Sequence, residues 1–242
     1  MTDIAGRTVL ITGANRGIGK ALVHEALARG AARVYAGTRE PIKDPDSRVT
    51  PLRLDVTSGE EIQAAAEAIT SLDLLINNAG IASYDDLSDP TVIARHLAVN
   101  LYGTLAVTQA FTPLLARGRG AVVNNLSVNA FAPLPLIASY SLSKAAAFNL
   151  TQSLRTLLAP RGVTVHAVLT GIVDTDMSRG VDIPKATPAS VAAAIFDGIE
   201  KGEDDIFPDA MSQPMAESWR TSAAKALEGQ YAALAADVLA AS

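Results

Sequence analysis

Residues 7–19 read RTVLITGANRGIG. An aliphatic run, Arg7 to Thr12, leads straight into a turn with glycines at 13, 17 and 19, and helical periodicity then holds from Ile18 to Arg29. Strand, glycine turn and helix in that order form a site where backbone N–H groups and a helix N-terminus meet a pyrophosphate. Asn15, Arg16 and Ile18 fill the turn between the glycines, whose pattern is G-x-x-x-G-x-G. A glycine-rich turn that binds nothing is the competing reading. A P-loop is excluded on spacing, because Lys20 follows Gly13 by seven residues and precedes Ala21.

Working outward, short apolar runs recur at 33–37, 49–54, 73–77, 121–126 and 163–169, alternating with helical segments at 60–71, 91–117 and 139–160. This alternation predicts an α/β fold with a doubly wound parallel sheet, its strands buried on both faces. Gly30, Gly118 and Gly162 stand where helices can end in a left-handed cap. Residues 40–51 hold Pro41, Pro45 and Pro51, so a loop is expected between the second and third strands. No repeat or linker interrupts the chain. Residues 1–242 therefore read as one domain, with 210–242 as a distinct helical tail whose Trp219, Ala223, Leu227, Tyr231, Leu234 and Val238 form one apolar stripe.

The chain has 242 residues and a net charge of −5, with basic residues scattered, which speaks against nucleic acid or an anionic membrane as partner. There is no cysteine, and His24, His96 and His166 lie far apart, so thiol chemistry and a metal site are not expected. No run reaches the roughly 18 apolar residues of a membrane helix, and a cytoplasmic location is the default expectation.

At the end of the second strand a carboxylate would accept a ribose 2′-OH and repel a 2′-phosphate. This chain has Gly37-Thr38-Arg39 there, and Arg16 lies in the glycine turn. Two guanidiniums favour NADP(H) over NAD(H). Farther along come NNAG at 77–80, Asn100 and Ser127, then Tyr140 and Lys144 one helical turn apart. An ammonium beside a phenol lowers its pKa, which makes Tyr140 a usable general acid or base. Ser127, at the end of the fifth strand, stands where its hydroxyl can hold a carbonyl oxygen.

TGANRGIG, NNAG, Asn100, Ser127 and YSLSK, with Ser127 thirteen residues before Tyr140, make the chain resemble the short-chain dehydrogenases/reductases over roughly residues 5–178. The resemblance implies a Rossmann-type, seven-stranded sheet between two helix layers, and an Asn100-Ser127-Tyr140-Lys144 tetrad. It also implies a mechanism. Ser127 and Tyr140 hold a ketone or aldehyde oxygen, Tyr140 protonates it, and Lys144 lowers the Tyr140 pKa and binds ribose hydroxyls. Asn100 anchors a water that leads protons to Lys144.

Cofactor contacts carried over by the resemblance are Gly13, Asn15, Arg16, Gly17, Ile18, Gly19, Thr38, Arg39, Asp55, Val56, Asn78, Ala79, Gly80, Val173 and Thr175, besides Asn100, Tyr140 and Lys144. TGANRGIG with GTRE is similar to NADP-preferring carbonyl reductases. Thr170-Gly171 replaces the Pro-Gly expected after the sixth strand, which predicts a looser turn there. Ala82, Tyr84, Phe131, Leu134, Leu136, Met177 and Ile183 are expected to line an apolar substrate pocket. By analogy a homodimer on the 91–117 and 139–160 helices is favoured over a tetramer. Two other readings stay open: a non-catalytic NADP(H) sensor, and an NAD-dependent alcohol dehydrogenase working oxidatively.

Overall fold

The computed structural model describes residues 3–40 and 42–240; Pro41 and the side chain of Val238 lie outside the described residues. The strands are β1 (Thr8–Thr12), β2 (Arg33–Thr38), β3 (Val49–Arg53), β4 (Leu74–Asn77), β5 (Ala121–Asn125), β6 (Thr164–Val168) and β7 (Asp205–Ile206). They form one sheet in the order β3-β2-β1-β4-β5-β6-β7, and every neighbouring pair is parallel. The helices are α1 (Gly17–Ala28), α2 (Gly59–Ala68), α3 (Pro90–Leu97), α4 (Thr104–Gly118), α5 (Ala138–Leu158), α6 (Pro188–Lys201), α7 (Met215–Arg220) and α8 (Ala223–Ala240).

Strand alternation assigns the two helix layers. Val9 and Ile11 pack against Leu22 and Val23 of α1 and Ile195 and Phe196 of α6. Leu10, between them, points the other way, into Ile62 of α2, Val107 and Phe111 of α4 and Leu154 of α5. Successive side chains of a strand leave opposite faces, so a strand covered on both faces reads as a continuous apolar run. The three-layer doubly wound sheet predicted from the alternation is the observed fold. Among the described residues no helix joins β2 to β3, as the prolines predict, and Pro51 stands in β3 at the sheet edge, where a missing N–H is tolerated.

Four local expectations need correction. The segment 91–117 is not one helix: a π turn at Ala98–Gly103 separates α3 from α4. The segment 60–71 leaves the helix at Ile69, whose extended backbone lets Ile69 and Leu72 enter the core. After α4 the left-handed residue is Arg119 (φ 49°) and not Gly118, because Gly120 is needed where a Cβ would come within 2.4 Å of the Asp73 carbonyl oxygen. The tail breaks into α7 and α8 at Thr221–Ser222. Trp219 turns inward against Phe131, Phe148 and Phe207, while Leu227, Tyr231 and Leu234 remain exposed, so the stripe does not cover the core. β7 went unrecognised because two residues, Asp205 and Ile206, carry no periodicity.

Candidate active site

The strand order reverses between β1 and β4, and at the carboxyl ends of strands at such a switch point open α/β sheets bind their ligands. Two loops meet there. Gly13 (φ 65°) backs onto Ala79 so closely that a Cβ would lie 2.9 Å from its Cα. Thr12 Oγ1 accepts the N–H groups of Asn78 (2.9 Å) and Ala79 (3.0 Å), and Asn78 Nδ2 donates to the Thr12 carbonyl at 3.0 Å. A Cβ on Gly19 would sit 2.1 Å from the Gly13 carbonyl oxygen, so only glycine lets α1 start this close to the strand.

The first turn of α1 has no acidic residue and its N-cap, Arg16, makes no side-chain capping bond. Its positive end and free N–H groups are thus left for an anion, and the turn fits a dinucleotide pyrophosphate. Ile18 lies half-buried in that first turn, with Asn15 exposed beside it.

Arg39 is exposed after β2, behind a buried Thr38 whose hydroxyl donates to the Glu40 carbonyl at 2.7 Å. Asp55 lies near it. Hydrogen bonds from the Thr57 hydroxyl and N–H outweigh burial and, with the Arg39 charge, hold the Asp55 carboxyl below its ordinary value. Val56 packs against Gly103 in the π turn. Arg16 instead pairs with Asp176 at 3.3 Å, largely exposed, a contact that contributes under about 1 kcal/mol and yields readily to a competing anion. Thr175 places its methyl against Gly17, and Val173 bridges to Ala186, so the loop after β6 forms the other wall.

Helix α5 carries Tyr140 and Lys144, and the Lys144 ammonium sits 5.6 Å from the centre of the Tyr140 ring. Lys144 Nζ donates to the Asn125 carbonyl at 2.8 Å, Asn125 Nδ2 donates to Asn78 Oδ1 at 3.0 Å, and Asn78 in turn holds the glycine turn. A continuous chain of hydrogen bonds thus joins the two halves of the site. Ser127 Oγ accepts the Asn129 N–H at 3.1 Å, leaving its own proton to donate. Asn100 is buried in the π turn, where Oδ1 accepts from Ile81 N–H (2.9 Å) and Nδ2 donates to the Ile81 carbonyl (3.0 Å) and Ser143 Oγ (2.9 Å). Gly80 lies between them: a Cβ there would come 3.2 Å from Asn100 Oδ1 and 3.8 Å from Lys144 Nζ.

Sequence reasoning missed Asn125 and Asp85. Asp85 accepts from the Ser139 hydroxyl at 2.8 Å and from its N–H at 3.2 Å, supplying from another loop the cap that Ile137 at the start of α5 cannot. The signal for Asn125 was present, since two adjacent asparagines in a buried strand demand partners.

The expected lowering of the Tyr140 pKa is not what this arrangement gives. Burial pushes the phenol up to about 12, with the Ser127 hydroxyl drawing it down, and burial pushes Lys144 down to about 8. The ammonium donates to the Asn125 carbonyl, and desolvation outweighs the Ser127 hydrogen bond at the phenol.

A pH signature follows. Between about pH 8 and 10 the unfolded chain holds the Lys144 proton more firmly than the folded one, so this group's contribution to stability rises with pH. Denaturant midpoints at pH 7.5 and 9.5 should move upward in the native chain relative to Lys144→Met. Identical pH dependence in both would show that Lys144 keeps an ordinary pKa.

Phe131 is drawn into the aromatic cluster, 4.8 Å from Trp219. Tyr84, Leu134, Leu136, Met177 and Ile183 are all exposed, and Ala82 is half-buried. Among the described residues no three or more His, Cys, Asp or Glu side chains are grouped so as to hold a metal ion.

Residues 7–185 match the family model described as short chain dehydrogenase. The chain is 41% identical over 187 residues to the short-chain dehydrogenase PC-15 of Penicillium crustosum, covering 70% of this chain and 66% of that protein. It is 32% identical over 196 residues to the 11-beta-hydroxysteroid dehydrogenase A of Sesamum indicum, covering 74% of this chain and 56% of the relative. The chain thus spans somewhat under two thirds of the length of these relatives. A short chain dehydrogenase from Burkholderia cenocepacia, solved in complex with NADP, superposes with a TM-score of 0.87 at 38% identity, over 95% of this chain and 98% of that one. With glycine turn, strand order and a family match running through both halves of the crevice, the chain belongs to the short-chain dehydrogenase family.

Proposed function

We propose that the chain reduces a ketone or aldehyde carbonyl to an alcohol with NADPH, using Tyr140 as the general acid. The observation that carries this reading is the hydrogen-bonded path from Lys144 through Asn125 and Asn78 to the glycine turn. It ties the Lys144 ammonium, 5.6 Å from the Tyr140 ring, to the turn where a dinucleotide fits. When bound, NADPH supplies the hydride. The chain's own residues do the rest.

Ser127, its oxygen already accepting from Asn129, donates its proton to the substrate carbonyl oxygen. Tyr140, held neutral by burial, donates to the same oxygen and passes its proton as negative charge develops there. Lys144, whose burial places its pKa near 8, stabilises the tyrosinate left behind and re-supplies it, and in the same reading binds the ribose hydroxyls. Asn100, by clamping Ile81 and Ser143, fixes the loop after β4 against α5; the second lone pair of its Oδ1 is free for a water that leads protons to Lys144. The alkoxide is never released unprotonated.

NADP(H) is preferred because Arg39, with no carboxylate at position 38, meets the 2′-phosphate, and Arg16 leaves Asp176 to join it. The remaining cofactor contacts are those of the glycine turn (Gly13, Asn15, Gly17, Ile18, Gly19), Thr38, Asp55 and Val56, Asn78 to Gly80, Val173 and Thr175. Arg39→Ala is expected to weaken NADPH binding about tenfold or more while changing NADH binding less than about twofold. Equal losses in calorimetry would remove Arg39 from cofactor selection. The exposed rim of Tyr84, Leu136, Met177 and Ile183 suits an apolar substrate body.

The whole chain acts as one domain, in the cytoplasm, as a homodimer through the 91–117 and 139–160 segments, where Tyr102, Leu142 and Leu157 are exposed. An apolar ketone or aldehyde incubated with protein and NADPH should become the alcohol. A broad panel that leaves NADPH unconsumed overturns the reading.

A further inference from the structure

The loop after β6 begins with Thr170-Gly171, where an imino acid was expected to supply stiffness. Its rigidity comes from elsewhere. Thr170 Oγ1 donates to the Leu126 carbonyl at 2.9 Å, and the Thr170 carbonyl accepts the Val128 N–H at 2.9 Å, so this residue is tied to both flanks of Ser127. The next residue is tied to the C-terminal segment: Gly171 N–H donates to Asp209 Oδ2 at 2.7 Å.

Asp209 is 4% exposed and forms no ion pair among the described residues. A buried carboxylate without a cation has to be satisfied by donors. Its other oxygen accepts the N–H groups of Met211 (3.0 Å) and Ser212 (3.1 Å), closing the 209–212 turn on itself. Contact with the loop is tight as well as polar, since a Cβ on Gly171 would lie 2.5 Å from Asp209 Oδ1 and 2.6 Å from Met211 Cβ. The turn leads on to Trp219, which stacks at 4.8 Å on Phe131, four residues beyond Ser127. One C-terminal segment therefore braces both loops that frame the chemical end of the crevice.

We propose that Asp209 is a positioning residue that fixes the loop carrying Val173 and Thr175 for the nicotinamide half of the cofactor. This rests on the NADP(H) reading above. A carboxylate can serve Gly171 with one oxygen and the turn with the other, whereas an asparagine has a single acceptor and must abandon one of them. A brace on this loop acts mainly on the nicotinamide end of a bound dinucleotide, because the 2′-phosphate end is held by Arg39 after β2 and the pyrophosphate by the N–H groups of the glycine turn.

The test compares two ligands on the full chain: NADPH, and 2′-phospho-ADP-ribose, which is the same molecule without nicotinamide. Affinities by calorimetry and thermal midpoints are measured for the native chain, Asp209→Asn and Asp209→Ala. NADPH affinity is expected to fall about tenfold in Asp209→Ala, the size of one lost hydrogen bond to a charged acceptor. Affinity for 2′-phospho-ADP-ribose should change by less than about twofold, and Asp209→Asn should show the same selectivity at smaller amplitude. Should Asp209→Ala fail to fold, the asparagine variant carries the comparison alone. Equal losses for both ligands, or no loss for either, overturn the inference. A native chain that binds neither ligand overturns the cofactor reading and this inference with it.

Discussion

Tyr140→Phe is expected to lower kcat by about 10²–10⁴-fold, the range that a positioned general acid contributes. The substitution removes one hydroxyl and keeps the ring over which the Lys144 ammonium lies, so packing and the Lys144–Asn125 bond should persist. NADPH affinity should therefore stay within about twofold, since the phenol proton is needed by the substrate oxygen and not for holding the dinucleotide. The two readouts belong together. A variant that has lost turnover and cofactor binding alike would point to a disturbed fold, and one that turns over normally would remove Tyr140 from the proposed mechanism.

Gly19→Ala should be nearly as damaging, through geometry alone. A methyl group at this position lies 2.1 Å from the Gly13 carbonyl oxygen and 2.6 Å from Asn78 Nδ2, both parts of the cradle itself. Neither can retreat cheaply, because Gly13 is pressed on Ala79 and Asn78 is bonded to Thr12 and Asn125. The start of α1 must shift outward, costing about 1–3 kcal/mol of stability, as overpacking does, and withdrawing its N–H groups from the pyrophosphate. NADPH affinity should fall by about a hundredfold or more, measured by calorimetry at a temperature where the variant remains folded. Gly59→Ala is the matching control, because a Cβ there meets nothing within 4 Å. Affinity in Gly19→Ala equal to that control would contradict the placement of the cofactor on this turn.

Much of this was written in local sequence. The period of apolar residues defined six of the seven strands and the helices between them, because strands buried on both faces and helices with one apolar stripe leave distinct patterns. The order of Ser127, Tyr140 and Lys144 was likewise legible, since strand end and helix spacing alone bring them near one another. What escaped detection depends on contacts between distant segments. Asp85 caps α5 from 54 residues away, and Asp209 holds Gly171 from 38 residues away.

Phe131 illustrates the same limit, for its neighbour Trp219 arrives from the other end of the chain to stack on it. The raised Tyr140 pKa was missed for a related reason: helical spacing reveals the ammonium one turn away, but not how much water the fold removes. The π turn at Asn100 is a local event without a local signature, stabilised by what its side chain clamps across the loop.

The central claim is hydride delivery to a carbonyl carbon followed by protonation from Tyr140. Deuterium tracing tests it most directly, using NADPH labelled at the transferring position with a panel of apolar ketones and aldehydes and mass analysis of the products. The account predicts an alcohol carrying one deuterium on its carbinol carbon, formed mole for mole with NADP, and lost in Tyr140→Phe. An alcohol without the label, or NADPH that binds tightly and is consumed with no member of the panel, would contradict it.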